Sequence, residues 1–250
     1  MEKELVSIIM PSYNNRLYIA DAVRSVMQQT YSNWELLITD DASIDDSVQI
    51  INSFVSQDKR IRLFKLEKNS GVSAARNYSI QQAKGRYIAF LDSDDCWHSE
   101  KLEKQLAFMQ HYQYAFTFTS YQLMSSKGVL LNKMIIAPKE MSYKQYLKNT
   151  IIGCLTVIID REKIRDIKVP ALQTSQDMAL WLDILRTGIH AYGLDEVLAY
   201  YRLSSNSNSA NKIKAAKQVW TLYRNYEKLS CIVSLYNFLG YTYHAVKKRL

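Results

Sequence analysis

Four short apolar runs, each followed by a helical repeat, constrain this chain more than any other feature. Val6-Ser7-Ile8-Ile9-Met10 ends at Pro11, and Trp34 to Thr39, Arg62 to Leu66 and Tyr87 to Leu91 are the other three. Their length and composition suit strands covered on both faces. Between them, Ile19, Ala22, Val23, Val26 and Met27 follow helical spacing, and Val48, Ile51 and Val55 form the apolar face of a second helix. Ser43, followed three residues later by Asp46, reads as that helix's N-cap. Val72 to Ala83 reads as a third helix, with Gly85 as its C′ residue. A β-α-β-α-β-α-β order predicts a parallel sheet with right-handed crossovers. With 250 residues, 48% of them hydrophobic, the chain can build one large α/β domain or two small ones.

Function in such sheets gathers at the carboxyl ends of the strands. Three of those ends carry polar residues: Pro11-Ser12-Tyr13-Asn14, Asp40-Asp41 and Asp92-Ser93-Asp94-Asp95. Three loops therefore converge on one edge of one sheet.

The second half is less regular. Ala115 to Thr119 alternates like a half-buried strand, and Leu155 to Ile159 is another apolar run. Asp177 to Arg186 reads as an amphipathic helix stopped by Gly188, with Leu180, Trp181, Ile184 and Leu185 facing inward. Tyr192 to Leu194 and Val197 to Tyr201 read as two short strands, and Ser204 to Ser209 as a loop. Residues 1–209 are expected to form the main unit, with 1–110 and 111–209 as its two halves. Residues 210–250 follow as a basic, aromatic, helical tail.

Charge is placed unevenly. The net charge is +8, and the tail supplies most of it: Lys212, Lys214, Lys217, Arg224, Lys228, Lys247, Lys248 and Arg249 face one acid, Glu227. Such asymmetry points to an anionic surface as partner. The apolar runs are far shorter than the ~20 residues of a membrane span, and the first residues lack the long apolar core of a secretory signal. The expected location is therefore the cytoplasm or the membrane surface facing it. Cys96, Cys154 and Cys231 lie far apart and fit ordinary thiols rather than zinc ligands. No motif of a nucleic-acid binder accompanies the basic tail, so nucleic acid is not an expected partner.

The sharpest chemical signal is Asp92-Ser93-Asp94-Asp95. Three carboxylates at a buried strand's exit repel one another, and a divalent cation with hard-oxygen preference, Mg²⁺ or Mn²⁺, would offset that. The same acids also suit the first turn of a following helix. Asp40 and Asp41 fit either a helix cap or a hydrogen bond to a base or ribose. Arg76, five residues after Gly71, suits a carboxylate or phosphate or a plain helix surface. Asp177 fits helix-dipole chemistry or a general base, and Arg202 fits a phosphate clamp or a salt bridge.

Together these blocks resemble a family. Ser7 to Asn14, Asp40-Asp41-Ala42-Ser43, Gly71 to Asn77, Leu91 to Asp95, and Gln176-Asp177 with Leu180-Trp181-Leu182 resemble the family 2 inverting glycosyltransferases in order and rough spacing. The second half resembles the teichuronic-acid and O-antigen type of that family. The resemblance implies an α/β fold of GT-A type, a mixed, mostly parallel sheet flanked by helices, with a C-terminal helical tail. It implies a nucleotide-diphospho-sugar donor, with a UDP-sugar expected, and an undecaprenyl-diphosphate-linked saccharide acceptor. Pro11, Tyr13, Asn14, Asp40, Asp41, Arg76, Asp92, Ser93, Asp95 and Arg202 are then expected around the nucleotide sugar, Asp94 at an Mn²⁺ or Mg²⁺ ion, and Asp177 as catalytic base. Ala42 stands where the family often has Gly, and Gln176 where it often has Glu. A rival reading keeps the fold as a nucleotide-binding module without catalysis.

Overall fold

The computed structural model describes residues 4–203 and 212–247. The first half runs β1 (Val6–Ser12), α1 (Ile19–Met27), β2 (Trp34–Asp40), α2 (Ser47–Val55), β3 (Ile61–Lys65), α3 (Val72–Gln82) and β4 (Tyr87–Phe90). β5 (Cys96–Trp97), α4 (Lys101–His111), β6 (Phe116–Met124), β7 (Leu130–Ile135), β8 (Glu140–Met141) and α5 (Tyr143–Lys148) follow. A 3₁₀ turn (Cys154–Thr156) leads into β9 (Ile158–Asp160), α6 (Gln176–Arg186) and β10 (Ala191–Arg202). Beyond them lie α7 (Lys212–Thr221), a π turn (Leu222–Tyr226) and α8 (Cys231–Lys247).

One sheet of ten strands holds the molecule together, with the path β3-β2-β1-β4-β9-β6-β10-β5; β7 adds to β6 and β8 to β10. β3, β2, β1 and β4 are parallel, as the β-α alternation predicts. β9 runs antiparallel to both β4 and β6, so the sheet is mixed, while β6 and β10 are again parallel. β1 and β2 are buried along their whole length because helices cover both faces. Ile8, Met10, Leu36 and Ile38 face the layer of α1, α2 and α4. Ile9, Leu37, Ile88 and Phe90 face the layer that contains Trp181 of α6.

The tail joins that second layer. Val219, Leu222 and Tyr223 are buried with Trp181, Leu147 and Tyr146, and the Tyr223 hydroxyl donates to the Leu147 carbonyl. Glu227 ties the same region to α6 through Arg186, at 2.5 Å. The expected loop at 204–209 and the basic residues Lys248 and Arg249 lie outside the described residues.

Local expectations needed four corrections. Ser43 does not cap α2, which starts at Ser47 after Asp46; instead it hydrogen-bonds back to Asp40. Gly85 is not a left-handed helix cap. Ala83 ends α3 in an extended conformation, and Gly85 is needed because its backbone passes against β1: a Cβ there would lie 2.6 Å from the Leu5 carbonyl oxygen and 2.7 Å from the Ser7 nitrogen. The start of β6 is buried on both faces rather than half-exposed, since Thr117 takes a hydrogen bond from Gln105 of α4 instead of water. The two short strands after α6 are one strand, β10, whose register shifts between Leu194 and Ala199.

Gly85→Ala should therefore destabilise the fold by about 1–3 kcal/mol, because the contacts are backbone and cannot swing aside. Urea denaturation of the two forms checks this, and equal midpoints would contradict the close approach.

Candidate active site

The site lies where β1, β2 and β4 end together. Parallel pairing sets Ser12 beside Asp40, and β4 alongside β1 carries Leu91 and Asp92 to the same edge. Each loop there is organised by a carboxylate bonded to main chain. Asp40 accepts from the N–H and hydroxyl of Ser43, at 2.8 and 2.6 Å. Ala42 between them sits at φ 62°, a left-handed conformation that suits the glycine common in the resembled family. Both oxygens of Asp41 accept N–H groups at the entry to α3, from Ser70 at 2.7 Å and Gly71 at 2.8 Å. Asn14 joins the first two loops, its N–H donating to the Ser43 hydroxyl and its side-chain oxygen accepting from the Ile44 N–H. Pro11 is buried in β1, whereas Tyr13 stands half-exposed at the rim.

α3 packs on β1 and β2 through small residues. Ser73, Ala75 and Ser79 are buried, and the Ser79 hydroxyl bonds Thr39 and the Leu37 carbonyl. That close approach sinks Arg76 into the site, where its guanidinium donates to Asp92 at 2.5 Å. Burial by itself would lower the Arg76 pKa, but Asp92, Cys154 and Asp177 together hold it above its ordinary value. The arginine thus sits in the field of acids from two distant segments, β4's exit and the start of α6.

Asp177 occupies the first turn of α6, after Ser175 at φ 59°. Its carboxylate accepts the N–H of Met178 at 2.8 Å, and Gln176 donates to the Leu172 carbonyl. Burial raises the Asp177 pKa above the usual carboxylate range, and nearby Asp92 adds to this while Arg76 and the Met178 N–H work against it. A carboxylate shifted upward in this way is a better proton acceptor near neutral pH than a free aspartate.

The three acids after β4 separate by environment. Asp92 pairs with Arg76. Asp95 is 1% exposed and accepts the Arg202 N–H at 2.8 Å; burial, then Asp94 and Asp92, push its pKa well up. Asp94 stays partly open, and burial together with Asp92 raises its pKa to about 6. Ser93 points inward and accepts from Asn15 at 2.7 Å. Arg202 is 2% exposed and already engaged: it donates to the Asp94 carbonyl at 2.7 Å and to Asp21 at 3.2 Å, and lies over the Tyr18 ring. Expected at the nucleotide sugar, Asp95, Ser93 and Arg202 instead form the wall behind the loop. Asn15 and Asp21 carry no signal in the sequence analysis, although Asn15 directly follows the first polar block.

The donor set suits a hard divalent cation. Asp94 and Asp92 offer carboxylate oxygens whose mutual repulsion a cation would relieve. Among the described residues no group of three His, Cys, Asp or Glu side chains could hold a metal by itself. Such an ion would need oxygens from a bound diphosphate to complete its shell.

With that geometry in view, comparison with known proteins becomes specific. Residues 7–167 match glycosyl transferase family 2. This chain belongs to that family. TuaG of Bacillus subtilis (strain 168), a glycosyltransferase assigned to teichuronic acid biosynthesis, is 51% identical over 248 residues, covering 99% of this chain and 98% of TuaG. WfgD of Escherichia coli, a UDP-Glc:α-D-GlcNAc-diphosphoundecaprenol β-1,3-glucosyltransferase, is 38% identical, covering 99% of this chain and 96% of WfgD. Among solved structures, a mannosyltransferase from Pyrobaculum calidifontis in complex with GDP-Man and Mn²⁺ superposes with a TM-score of 0.73 at 14% identity, covering 99% of this chain and 72% of that one. TarS 1–349 of S. aureus with UDP gives 0.69 at 20% identity, covering 95% and 70%. These two establish the GT-A fold. The glycosyltransferase class expected from the five sequence blocks is thereby settled.

Crowding has a measurable consequence. Because Asp94 binds its proton more tightly in the folded chain than in the unfolded one, it favours folding at low pH, and that contribution is lost as pH rises through about 6. Asp94→Asn should raise the stability of the metal-free glycosyltransferase at pH 7.5 by about 1 kcal/mol or more, a shift of roughly 2–4 °C in Tm. Calorimetry in EDTA tests it; a lower Tm would show that the carboxylates are not in conflict.

Proposed function

We propose that this glycosyltransferase moves a hexose from a UDP-sugar, with inversion, to a hydroxyl of an undecaprenyl-diphosphate-linked saccharide in surface polysaccharide assembly. The observation that carries the reading is Arg76 of α3, buried, paired with Asp92 at the edge where three parallel strands end and held in the field of Asp177. It couples the donor side of the site to the acceptor side. WfgD and WfaP of Escherichia coli, the latter 42% identical over 84% of this chain and 82% of its own length, are both UDP-Glc:α-D-GlcNAc-diphosphoundecaprenol β-1,3-glucosyltransferases, which supports the donor and acceptor classes.

In this reading the loops set by Asp40, Asp41 and Asn14 frame the base and ribose, with Pro11 buried beneath them and Tyr13 at the rim. Asp92 is fixed by Arg76 beside the ribose and the ion. Asp94 would hold Mn²⁺ or Mg²⁺, and such an ion, when bound, would supply positive charge against the leaving diphosphate. Asp177 takes the proton from the acceptor hydroxyl as that oxygen attacks the anomeric carbon. The nucleoside diphosphate departs from the opposite face, so a single displacement inverts the configuration. Arg76 keeps Asp177 ionised against the cost of burial. Asp95, Ser93 and Arg202 hold the metal loop from behind.

Purified protein given UDP-, GDP- and dTDP-sugars with Mn²⁺, Mg²⁺ or EDTA tests this through released nucleoside diphosphate. Metal-dependent turnover of a UDP-sugar, lost in Asp94→Ala, is expected. Asp177→Asn should lower transfer by about 10²–10⁴ while UDP binding persists. The acid limb of the wild-type kcat/KM profile should lie above the usual carboxylate range, since Asp177 must lose its proton to act. Transfer near the wild-type rate in Asp177→Asn would exclude it as the base, and UDP binding without turnover would favour a non-catalytic module.

The membrane reading of the tail now has a surface. No helix of the described residues is long and apolar enough to cross a membrane. α8 instead leaves Ile232, Leu235, Tyr236, Leu239, Tyr243 and Val246 exposed along one side, Ile232 at 83% and Tyr236 at 63%. Ser234 and Asn237 are buried on the other. A helix with such a stripe, with Lys148 against its Tyr236, suits the interface of an anionic leaflet, where each Lys or Arg contributes about 1 kcal/mol. Sedimentation with anionic and neutral vesicles tests it. Leu235→Ser/Leu239→Ser should lose vesicle binding, and equal sedimentation of variant and wild type would remove this role.

A further inference from the structure

α3 holds more than Arg76. Ser73 and Asn77 are four apart on it and so share a face. Both bond the main chain of the segment that leads into α6. The Asn77 side-chain amide donates to the Val169 carbonyl and accepts the Val169 N–H, both at 2.8 Å. An amide can match both groups of one residue because it carries a donor and an acceptor side by side. The Ser73 hydroxyl donates to the Pro170 carbonyl, also at 2.8 Å. That carbonyl takes a second bond from the Leu172 N–H, and the Leu172 carbonyl takes the Gln176 side-chain amide, each at 2.8 Å. A line of hydrogen bonds therefore runs from α3 to the residue before Asp177.

The segment has no regular structure to hold it. Residues 161–175 form neither helix nor strand. Ile164, Ile167 and Val169 are buried in the core, but Ala171 and Gln173 are exposed. α6 also begins without the usual cap: Ser175 stands at φ 59°, and its side chain makes no cap bond. The first turn of a helix has unpaired N–H groups and frays most readily. Asp177 lies in that turn. The bond from Gln176 to Leu172 thus takes over a cap's task and ties the turn to its surroundings. An ionised glutamate, common at this place in the family, could not donate to that carbonyl.

We propose that Ser73, Asn77 and Gln176 are positioning residues for Asp177. They register the first turn of α6 against α3, so that the base keeps a fixed place relative to Arg76 on the same helix. The proposal rests on the reading of Asp177 as the base. None of the three touches the reacting atoms; each acts through the carboxylate whose approach it fixes. Small displacements of a reacting group are costly, which is why such a frame has value.

The test is a mutant cycle on transfer from the UDP-sugar that the wild type turns over to GlcNAc linked through diphosphate to a short alkyl chain. Asn77→Asp keeps the size and the acceptor but loses the donor to Val169. Gln176→Met keeps the length but loses the donor to Leu172. Each should lower kcat about tenfold or more, with KM for the UDP-sugar changed less than about twofold. In an Asp177→Asn background the same substitutions should cost little further, because a residue that acts only through the base has nothing left to position. Unchanged kcat in both variants would overturn the proposal. So would an equal fractional loss in both backgrounds, or a loss of UDP affinity that matches the loss of rate, since either marks a general structural role. Asp177→Asn transferring near the wild-type rate, or a wild type that transfers from no UDP-sugar, would instead overturn the reading beneath it.

Discussion

Like charges forced together at the open edge of the sheet set the terms for everything around them. Asp94, Asp95 and Asp177 stand where burial disfavours ionisation, with the Asp92 carboxylate adding to the conflict at each. The fold answers each acid differently: a buried guanidinium for Asp92, a main-chain N–H for Asp95, a helix's first turn for Asp177. Asp94 is left partly open with its pKa raised to about 6. The charge conflict is thus concentrated at the residue where a cation and a diphosphate would resolve it. Strain of this kind is tolerable because it sits on a rigid frame, the parallel strands β1, β2 and β4 buried on both faces, with only the edge strand β3 half-open.

Arg76 is the clearest case of fold serving site. An arginine can be buried so deeply only if its helix approaches the sheet closely and its charge is matched. α3 meets the first condition with Ala75 and Ser79. It meets the second through Asp92, which pairs with the guanidinium, while Asp41 draws the helix's entry loop toward β2 through Ser70 and Gly71. Asp41 and Arg76 are thereby linked: one places the helix, and the other uses that placement to reach Asp92.

Much of this could be read in the sequence because strand order and chain order agree in the first half. Continuous apolar runs declared buried parallel strands, and their polar exits declared the edge where function lies. Contacts between distant segments were less legible. Ser43 looks like a helix cap until Asp40 and Asn14 are seen to claim it. Gly85 looks like a helix terminator until Leu5 and Ser7 appear beside it. Arg202 and Asp95 are 107 positions apart, and nothing local in either says that one's carboxylate binds the other's main chain. Their charges alone suggested ligands, whereas burial turns them into a support.

The basic C-terminal segment shows how one stretch of sequence divides its work by face. Val219, Leu222 and Tyr223 point into the core and fix the helices to the domain. Lys214 and Lys217 look toward the segment that leads into Asp177. Ile232, Tyr236 and Leu239 look outward to solvent. Tyr236 also accepts a hydrogen bond from Lys148, so its ring meets a cation at the edge of the apolar stripe. A free tail could bind an anionic surface, but it could not set the distance from that surface to a catalytic base. Packing Val219, Leu222 and Tyr223 into the core ties the helices that carry the outward stripe to the domain that carries α6. A lipid-linked acceptor needs such registration: its sugar must reach the base while its hydrocarbon remains in the bilayer.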